Sequence, residues 1–212
     1  MVSTRPDIAH SVGIISKFMQ NWGEQHIHAA KNLLLYIRST LHRGITYHRG
    51  STTLVGFSDA DWAGNPDNSR STTGFIFYLA NGPISWRSKE QQTVALSTAE
   101  SEYMSLSAAS QEAIHLRELL PILNVDLSSP TVIYEDNEAA RQLASNPVYK
   151  PAVRHIAIRY HFVRDCVSNN SISVVRVDTS ENLADLLTKS VDISTFEYLI
   201  DRYMGLIPYH PY

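Results

Sequence analysis

Apolar residues in the first fifty positions recur at helical spacing. The first set lies three or four positions apart, at Ile8, Val12, Ile15 and Met19. This spacing predicts one helix over residues 8–20, and a similar pattern predicts a second helix over residues 24–40. Two helices of this length bury little surface by themselves, and a polar stretch follows at Tyr47–Ser51. We therefore predict that residues 1–50 form a helical appendage to the domain that follows.

After residue 50 the pattern changes to short β-branched and aromatic runs separated by turn residues. The predicted strands are 53–60, 72–79, 84–88, 131–135 and 172–177. Asn81-Gly82, between the second and third runs, is typical of a two-residue hairpin turn. The predicted helices are 96–120, 137–144, 154–167, 181–189 and 193–204. The order is therefore a hairpin meander followed by alternating helices and strands.

This order of elements is typical of a mixed β-sheet. The long helix after the meander carries the chain across the sheet, so that the fourth strand lies parallel to the first. We predict an α/β fold with a five-stranded mixed sheet, a three-stranded antiparallel meander plus two parallel strands, flanked by helices. Residues 51–190 form this domain, and residues 191–212 add a C-terminal helix and tail. The carboxyl ends of the first and fourth strands then lie side by side, where sites form in open α/β sheets.

Acidic residues cluster around this predicted edge. The candidates are Asp59, Asp61, Glu100, Glu102, Glu135, Asp136 and Asp185. Helical phasing separates the two glutamates. Glu102 falls on an apolar stripe with Leu106, whereas Glu100 falls on the far side with Ser107 and Gln111. A carboxylate on a buried face is costly unless it is paired or holds a metal, so Glu102 is the candidate of the two.

Each acid also has an ordinary structural explanation. The alternatives are a turn residue for Asp59, a helix cap for Asp136, an ion pair with Arg70 or Lys89 for Glu102, and a surface pair with Lys189 for Asp185. Convergence on one edge of a sheet favours a shared role. Three or four carboxylates at one point repel one another and become favourable around hard divalent cations such as Mg²⁺. Two such ions activate a water and stabilise the leaving oxygen of a phosphodiester.

Composition fits a packed intracellular domain. The chain has 212 residues, of which 43% are hydrophobic and 18% charged, so it can bury a core. A net charge of −3 provides no general attraction for a polyanion, and any nucleic-acid contact must come from local patches. The single Cys166 excludes an intrachain disulfide and a cysteine zinc site. No apolar run approaches the roughly 18 residues that span a bilayer, and the N-terminus has no signal-peptide core.

Seven motifs occur in order between about residues 54 and 190. They are Ser58-Asp59-Ala60-Asp61-Trp62-Ala63-Gly64, Arg70-Ser71-Thr72-Thr73-Gly74-Phe75, Ile84-Ser85-Trp86-Arg87-Ser88-Lys89, Ala95-Leu96-Ser97-Thr98-Ala99-Glu100-Ser101-Glu102-Tyr103-Met104, Glu135-Asp136-Asn137, Arg154-His155-Ile156 with Ile158-Arg159-Tyr160-His161-Phe162, and Leu183-Ala184-Asp185-Leu186-Leu187-Thr188-Lys189. Together they resemble the ribonuclease H domain of copia-type LTR retrotransposon polyproteins. Residues 4–37 resemble the tail of the reverse transcriptase that precedes this domain, without the polymerase's paired-aspartate motif.

The resemblance implies the ribonuclease H fold and a metal-dependent endonuclease that cleaves the RNA strand of RNA–DNA hybrids during reverse transcription. Carried over residue by residue, it implies that the catalytic and metal-binding acids are Asp59, Glu102, Asp136 and Asp185. The neighbouring Asp61, Glu100 and Glu135 are not expected to be ligands. The implied cofactor is a pair of Mg²⁺ ions, with Mn²⁺ as a substitute. The implied partners are the RNA–DNA hybrid and the reverse transcriptase polymerase domain, with no membrane.

Candidate substrate contacts come from polar and basic residues near the motifs. The residues expected to bind the hybrid are Ser71, Asn137, Arg154, His155 and Arg159, the basic ones through phosphates. The helix that holds the last three is equally explained as an amphipathic helix with a solvated face. The run Pro151-Ala152-Val153-Arg154 and the residue Ala157 depart from the family pattern, which affects substrate grip more than chemistry. No histidine precedes the last acid at Asp178-Thr179-Ser180, so no such helper is assigned.

Two other functions are compatible with the sequence. The first is a non-catalytic truncated or domesticated retroelement fragment that retains the fold and hybrid binding; the missing polymerase favours it, and the intact acids oppose it. The second is an integrase-like strand-transfer enzyme, which the absence of a His/Cys zinc module and the presence of a fourth acid oppose. A retroelement protein of this kind is expected in the cytoplasm, within a virus-like particle, or in the nucleus.

Overall fold

The computed structural model describes residues 1–49, 52–145 and 154–208, with side chains from residue 157 in the last range. The strands are β1 (Val55–Asp61), β2 (Thr72–Leu79), β3 (Gly82–Glu90), β4 (Thr131–Glu135) and β5 (Ile172–Arg176). The helices are α1 (Ala9–Ser16), α2 (Glu24–Ser39), α3 (Thr98–Leu119), α4 (Glu138–Ser145), α5 (Arg154–Ser168) and α6 (Ile193–Tyr203). Short 3-10 turns lie at Pro6–Ile8, Leu120–Leu123, Thr179–Glu181 and Leu183–Leu187. Among these helices, none is long and apolar enough to cross a membrane.

The strands form one mixed sheet in the order β3-β2-β1-β4-β5. β2 runs antiparallel to β1 and β3, and β4 runs parallel to β1 and β5. The parallel connection from the meander to β4 passes through α3, as a crossover of this kind requires. The predicted α/β architecture is confirmed. β1 occupies the centre of the sheet, and its carboxyl end adjoins that of β4.

Both faces of the sheet are covered. β2 is buried along nearly its whole length, because successive side chains point to opposite faces and each face has a partner layer. Phe75 and Phe77 join the core formed with α3 and α5, whereas Ile76 and Tyr78 join the opposite core. The Leu183–Leu187 turn and α6 complete this second core. The sheet is therefore a central layer between two cores, and the carboxyl ends of its strands are available for a site.

α3 is fixed over β1 and β2 by its cap and by a buried serine. Ser97 is the N-cap residue and accepts a hydrogen bond from the Glu100 N–H at 3.2 Å. Ser105 is fully buried and donates to the carbonyls of Asp59 and Gly74, at 2.6 and 3.0 Å. These contacts place the first turns of α3 against the end of β1.

The predicted helix over residues 181–189 is wrong. The chain instead forms two 3-10 turns, Thr179–Glu181 and Leu183–Leu187, with Asn182 between them. The Asn182 side chain is fully buried; it accepts an N–H of the second turn at 3.1 Å and donates to the Ser58 carbonyl at 3.0 Å. Because this asparagine is tied to β1 with an extended backbone, a continuous helix cannot form through it.

Residues 1–49 pack against the second face of the sheet. Ile8 and Ala9 are buried, and the Tyr203 hydroxyl of α6 donates to the Pro6 carbonyl at 3.2 Å. α2, by contrast, has no buried side chain. The predicted boundary at residues 50 and 51 lies outside the described residues. The division into residues 1–50, 51–190 and 191–212 therefore stays a prediction.

Candidate metal centre

Three carboxylates from separate elements meet at the edge of the sheet. Asp59 lies near the end of β1, Glu102 in the first turns of α3 and Asp136 directly after β4. One oxygen atom from each lies within 4.8 Å of the other two. The carboxyl ends of β1 and β4 coincide because these strands are parallel neighbours, and Ser105 holds α3 against them. We call this group the three-acid cluster.

The cluster is largely removed from water. Asp59 is 1% exposed and Glu102 is 5% exposed, while Asp136 is half-buried. Oε2 of Glu102 is buried and has no hydrogen-bond partner in the described part of the chain. An unpaired buried carboxylate oxygen is costly, and a bound cation satisfies it directly. The donor atoms are all carboxylate oxygens, which fits a hard divalent cation.

Burial and mutual repulsion raise the pKa values of these acids. Burial is the main cause at Glu102, where the charges of Glu135 and Asp59 add to it and the pKa rises to about 11. Burial also raises the pKa of Asp59, against the opposing effects of the Lys189 charge and a hydrogen bond from Thr188. In the metal-free protein Glu102 therefore keeps its proton at neutral pH, and a divalent cation must displace that proton.

Asp185 lies beside the three-acid cluster and not within it. It belongs to the Leu183–Leu187 turn, is 4% exposed, and has its Oδ1 3.0 Å from Nζ of Lys189. The same Nζ lies 3.7 Å from Oδ1 of Asp59, so the lysine bridges the two carboxylates. Burial, with the charge of Asp59, raises the pKa of Asp185 to about 7 although Lys189 lowers it. The four predicted acids thus share one edge, and the fourth contacts Asp59 both directly and through Lys189.

Two of the ordinary explanations for the acids do not hold. Asn137, and not Asp136, caps α4, since its Oδ1 accepts an N–H of that helix at 3.0 Å. Arg70 lies 3.8 Å from Glu90 and so does not neutralise Glu102. Asp136 and Glu102 are therefore placed at the site without a capping or ion-pairing role in the described chain.

The other acids considered, Asp61, Glu100 and Glu135, lie outside the three-acid cluster. Glu135 is fully buried and accepts the Ser58 hydroxyl at 2.6 Å, and burial raises its pKa well above the ordinary value. Glu100 is half-exposed and accepts a backbone N–H that precedes α3 at 3.0 Å. The structure places Glu102, and not Glu100, in the three-acid cluster. Ser107, expected on the uncovered side with Glu100, is buried because α4 and α5 also pack against α3.

The predicted substrate contacts have varied surroundings. The Ser71 hydroxyl is buried and accepts an N–H of the β1–β2 loop at 3.1 Å, and Asn137 caps α4. Arg159 is half-buried, with Nη1 3.4 Å from a carbonyl of α3. The side chains of Arg154 and His155 lie outside those that the structure describes. Contact of these residues with a hybrid stays a prediction.

A basic groove, defined by Arg87, Lys89 and Arg159, lies beside the cluster. It is a cavity of about 260 Å³ between β3, α3 and α5. The Arg87 guanidinium stacks 5.3 Å from the centre of the Phe75 ring, and burial lowers the pKa of Arg159. None of the three cations forms an ion pair with another residue that the structure describes. Arg87 and Lys89 are exposed and Arg159 is half-buried, and three cations without an ion-pair partner in the described chain favour an anionic ligand here.

Sequence reasoning missed Thr188 as a residue of the site. Its side chain is fully buried, and its hydroxyl donates a short hydrogen bond to Oδ2 of Asp59. A hydroxyl three positions after Asp185 forms no recognisable pattern of its own. The contact depends on how the Leu183–Leu187 turn packs on β1, and the only available signal was the motif that ends in Thr188-Lys189.

Comparison with known proteins finds close sequence relatives. No protein-family model matches the chain. It is 42% identical over 197 residues to the retrovirus-related Pol polyprotein from transposon TNT 1-94 of Nicotiana tabacum. It is 44% identical over 195 residues to the corresponding polyprotein from transposon RE1 of Arabidopsis thaliana. These matches cover 93% and 92% of this chain, which spans only 15% and 13% of the length of those polyproteins.

A third relative is shorter. The secreted RxLR effector protein 161 of Plasmopara viticola is 51% identical over 117 residues, which are 55% of this chain and 82% of that protein. The sequence of this region therefore occurs outside long polyproteins as well.

Comparison with solved structures finds one with a TM-score above 0.5, which shares the fold. The foamy viral protease-reverse transcriptase in complex with RNA/DNA hybrid has a TM-score of 0.51 and 14% identity, over 91% of this chain and 24% of that one. LC11-RNase H1, isolated from compost by a metagenomic approach, has a TM-score of 0.48 and 16% identity, over 65% of this chain and 93% of that one. The polyprotein relatives and the sheet order together show that the chain belongs to the family of retrovirus-related Pol polyproteins from copia-type transposons and has the ribonuclease H fold.

Proposed function

We propose that the chain is a metal-dependent endonuclease that cleaves the RNA strand of RNA–DNA hybrids during retrotransposon reverse transcription. The observation that supports this most is the buried three-acid cluster in a chain of the Pol family. Asp59, Glu102 and Asp136 are the proposed metal ligands and catalytic acids, with Asp185 as the fourth. Acid clusters of this kind are unfavourable in a folded protein unless they hold cations.

The donor set suits Mg²⁺, with Mn²⁺ as a substitute, because all its atoms are carboxylate oxygens and Asp136 leaves the site open to water. Oε2 of Glu102, which has no partner in the described chain, would be a ligand to such an ion. Two such ions, when bound, activate a water and stabilise the leaving oxygen of a phosphodiester. The protein's own residues supply the binding site and its orientation.

The surrounding residues hold the acids in place. The Thr188 hydroxyl fixes one oxygen of Asp59, and Ser105 ties the Asp59 carbonyl to α3 at 2.6 Å. The Ser58 hydroxyl donates a hydrogen bond of 2.6 Å to Oε2 of Glu135. These hydrogen bonds leave Oε2 of Glu102 without a partner in the described chain, so that this oxygen stays available to an ion. Such preorganisation is what a site of this type needs in order to act on a bound phosphodiester.

The positive charge of the basic groove supports a binding path for the nucleic acid. Lys89 pairs with Thr73, which pairs with Ala60 next to Asp59. Two strand spacings separate Lys89 from Ala60, which is about 10 Å. We propose that the basic groove binds backbone phosphates of the hybrid, with Arg159 as its most buried cation. The remaining proposed contacts are Ser71, Asn137, Arg154 and His155, and 2′-hydroxyl groups would distinguish the RNA strand.

Cleavage of a labelled hybrid tests the proposal. The purified chain is expected to cut the RNA strand in Mg²⁺ or Mn²⁺, to stop in EDTA, and to leave duplex DNA intact. Activity is expected to be weak at high salt, because a net charge of −3 gives little electrostatic capture of a polyanion. Cleavage that survives removal of the metal, or equal cutting of duplex DNA, contradicts the proposal.

A non-catalytic, domesticated retroelement fragment is the second candidate. The match to a secreted effector protein, over 82% of its length, supports it because that relative is not a long polyprotein. Binding of hybrid without cutting in the same assay favours this candidate.

The nuclease proposal places the chain in the cytoplasm, within a virus-like particle, or in the nucleus, beside a reverse transcriptase polymerase.

A further inference from the structure

Lys189 occupies an unusual position for a lysine. Its Nζ lies 3.0 Å from Oδ1 of Asp185 and 3.7 Å from Oδ1 of Asp59, and these carboxylate side chains are only 6% and 2% exposed. The lysine side chain itself is 38% exposed. The ammonium group therefore reaches two buried acids from the solvent side of the site.

This ammonium supplies positive charge where two neighbouring carboxylates require it. Two carboxylates this close repel each other when both are ionised, and a cation between them offsets that repulsion. Thr188 cannot supply that charge, since its buried hydroxyl only donates a hydrogen bond to the other oxygen of Asp59. In the metal-free protein Lys189 thus has the electrostatic role that a bound cation has in the loaded protein.

The lysine can also leave. An ammonium group on a flexible four-carbon stem changes position without movement of the backbone. A cavity of about 340 Å³ adjoins Lys189, between α1 and the β1–β2 loop, and Asp61 and Asp67 are among the residues that line it. Those two carboxylates offer a displaced ammonium group an alternative anionic environment.

We propose that Lys189 is an intramolecular counter-ion, which holds Asp59 and Asp185 in the metal-free protein and competes with a divalent cation for them. The inference rests on the proposed metal centre and adds a regulatory property to it. Lys189 raises the divalent-cation concentration at which the centre fills, and it keeps the buried acids neutralised below that concentration.

Binding of Mn²⁺ to the metal-free protein, followed by the electron paramagnetic resonance of the free ion, tests this without nucleic acid. Lys189→Met removes the competing charge, so it is expected to bind Mn²⁺ roughly tenfold more tightly than the wild type. Its melting temperature without metal is expected to fall, because Asp59 and Asp185 lose their counter-ion. Lys189→Arg keeps the charge and is expected to bind Mn²⁺ as the wild type does.

Lys31→Met is the matched control. Lys31 is exposed on α2 and does not line the cavity beside Lys189, so its loss is expected to leave Mn²⁺ affinity unchanged. Equal or weaker Mn²⁺ binding by Lys189→Met overturns the inference, and Lys189→Gln gives the same comparison if the methionine variant does not fold. Absence of Mn²⁺ binding in the wild type refutes the metal centre itself, which separates the two failures.

Discussion

Replacement of Glu102 by glutamine tests the three-acid cluster through both activity and stability. The substitution keeps the shape of the side chain and removes its charge. In the metal-free protein burial and neighbouring acids raise the pKa of Glu102 from 4.5 to about 11. The Mg²⁺-loaded protein needs the charged form, so Glu102→Gln is expected to abolish cleavage of the hybrid.

The same substitution is expected to stabilise the metal-free protein, although it abolishes activity. An acid whose pKa rises on folding contributes stability that is complete below its unfolded pKa and is lost as the pH rises toward the folded value. Between pH 4.5 and neutral pH this loss is about 3 kcal/mol, at 1.36 kcal/mol per unit of pH. Glutamine does not titrate. Without metal, Glu102→Gln is therefore expected to melt about 5–10 °C above the wild type at neutral pH, and close to it near pH 5.

Glu100→Gln is the matched control, two residues away on the opposite side of α3. Glu100 is half-exposed and accepts a backbone N–H at 3.0 Å, which glutamine can also accept. This variant is expected to retain most activity and to show no pH-dependent gain in melting temperature. Loss of cleavage in Glu100→Gln but not in Glu102→Gln refutes the site assignment. A Glu102→Gln stability difference that does not change with pH refutes the electrostatic reasoning.

The other predictions concern the domain boundary, metal linkage and substrate binding. A chain beginning at Ser51 is expected to keep a cooperative thermal transition, at a lower temperature because the buried residues Ile8 and Ala9 are removed with α1. An insoluble or molten product contradicts the boundary. Mg²⁺ is expected to raise the melting temperature more at pH about 8 than at pH about 6, because Asp185, with a pKa of about 7, and Glu102 must lose protons when the ion binds. Equal shifts of the melting temperature at the two pH values, measured by calorimetry, contradict this. Arg159→Gln is expected to lower the slope of log affinity for the hybrid against log salt concentration by about 1, and Arg38→Gln on exposed α2 not to change it.

Elements held together by local interactions could be predicted from the sequence. The bounds predicted for β2 are those observed, because its β-branched and aromatic residues form an uninterrupted run between turn residues. The phasing of Glu102 was likewise predictable, since it depends only on the apolar stripe of one helix. Parallel pairing of β1 with β4 followed from the length of the crossover.

Elements shaped by tertiary contacts could not be predicted in the same way. The sequence around Asn182 does not indicate that its side chain donates to the Ser58 carbonyl. Because of this contact, the chain forms two 3-10 turns in place of the predicted helix over residues 181–189. The sequence places Lys189 four residues after Asp185, but its second contact, with Asp59, depends on the packing of that turn against β1. Side-chain position at a site thus depends on the finished fold more than strand order does.

The central position of β1 has a consequence for folding kinetics. Its neighbour β4 comes from a distant part of the chain, and the three acids meet only when β1, β4 and α3 are all in place. Repulsion between the acids therefore develops only when the sheet is nearly complete, after most of the apolar surface is already buried. Interactions that appear this late alter the rate of unfolding and leave the rate of folding almost unchanged. A nascent chain can thus fold at its ordinary speed without metal, and the ion, once bound, acts by prolonging the lifetime of the native state.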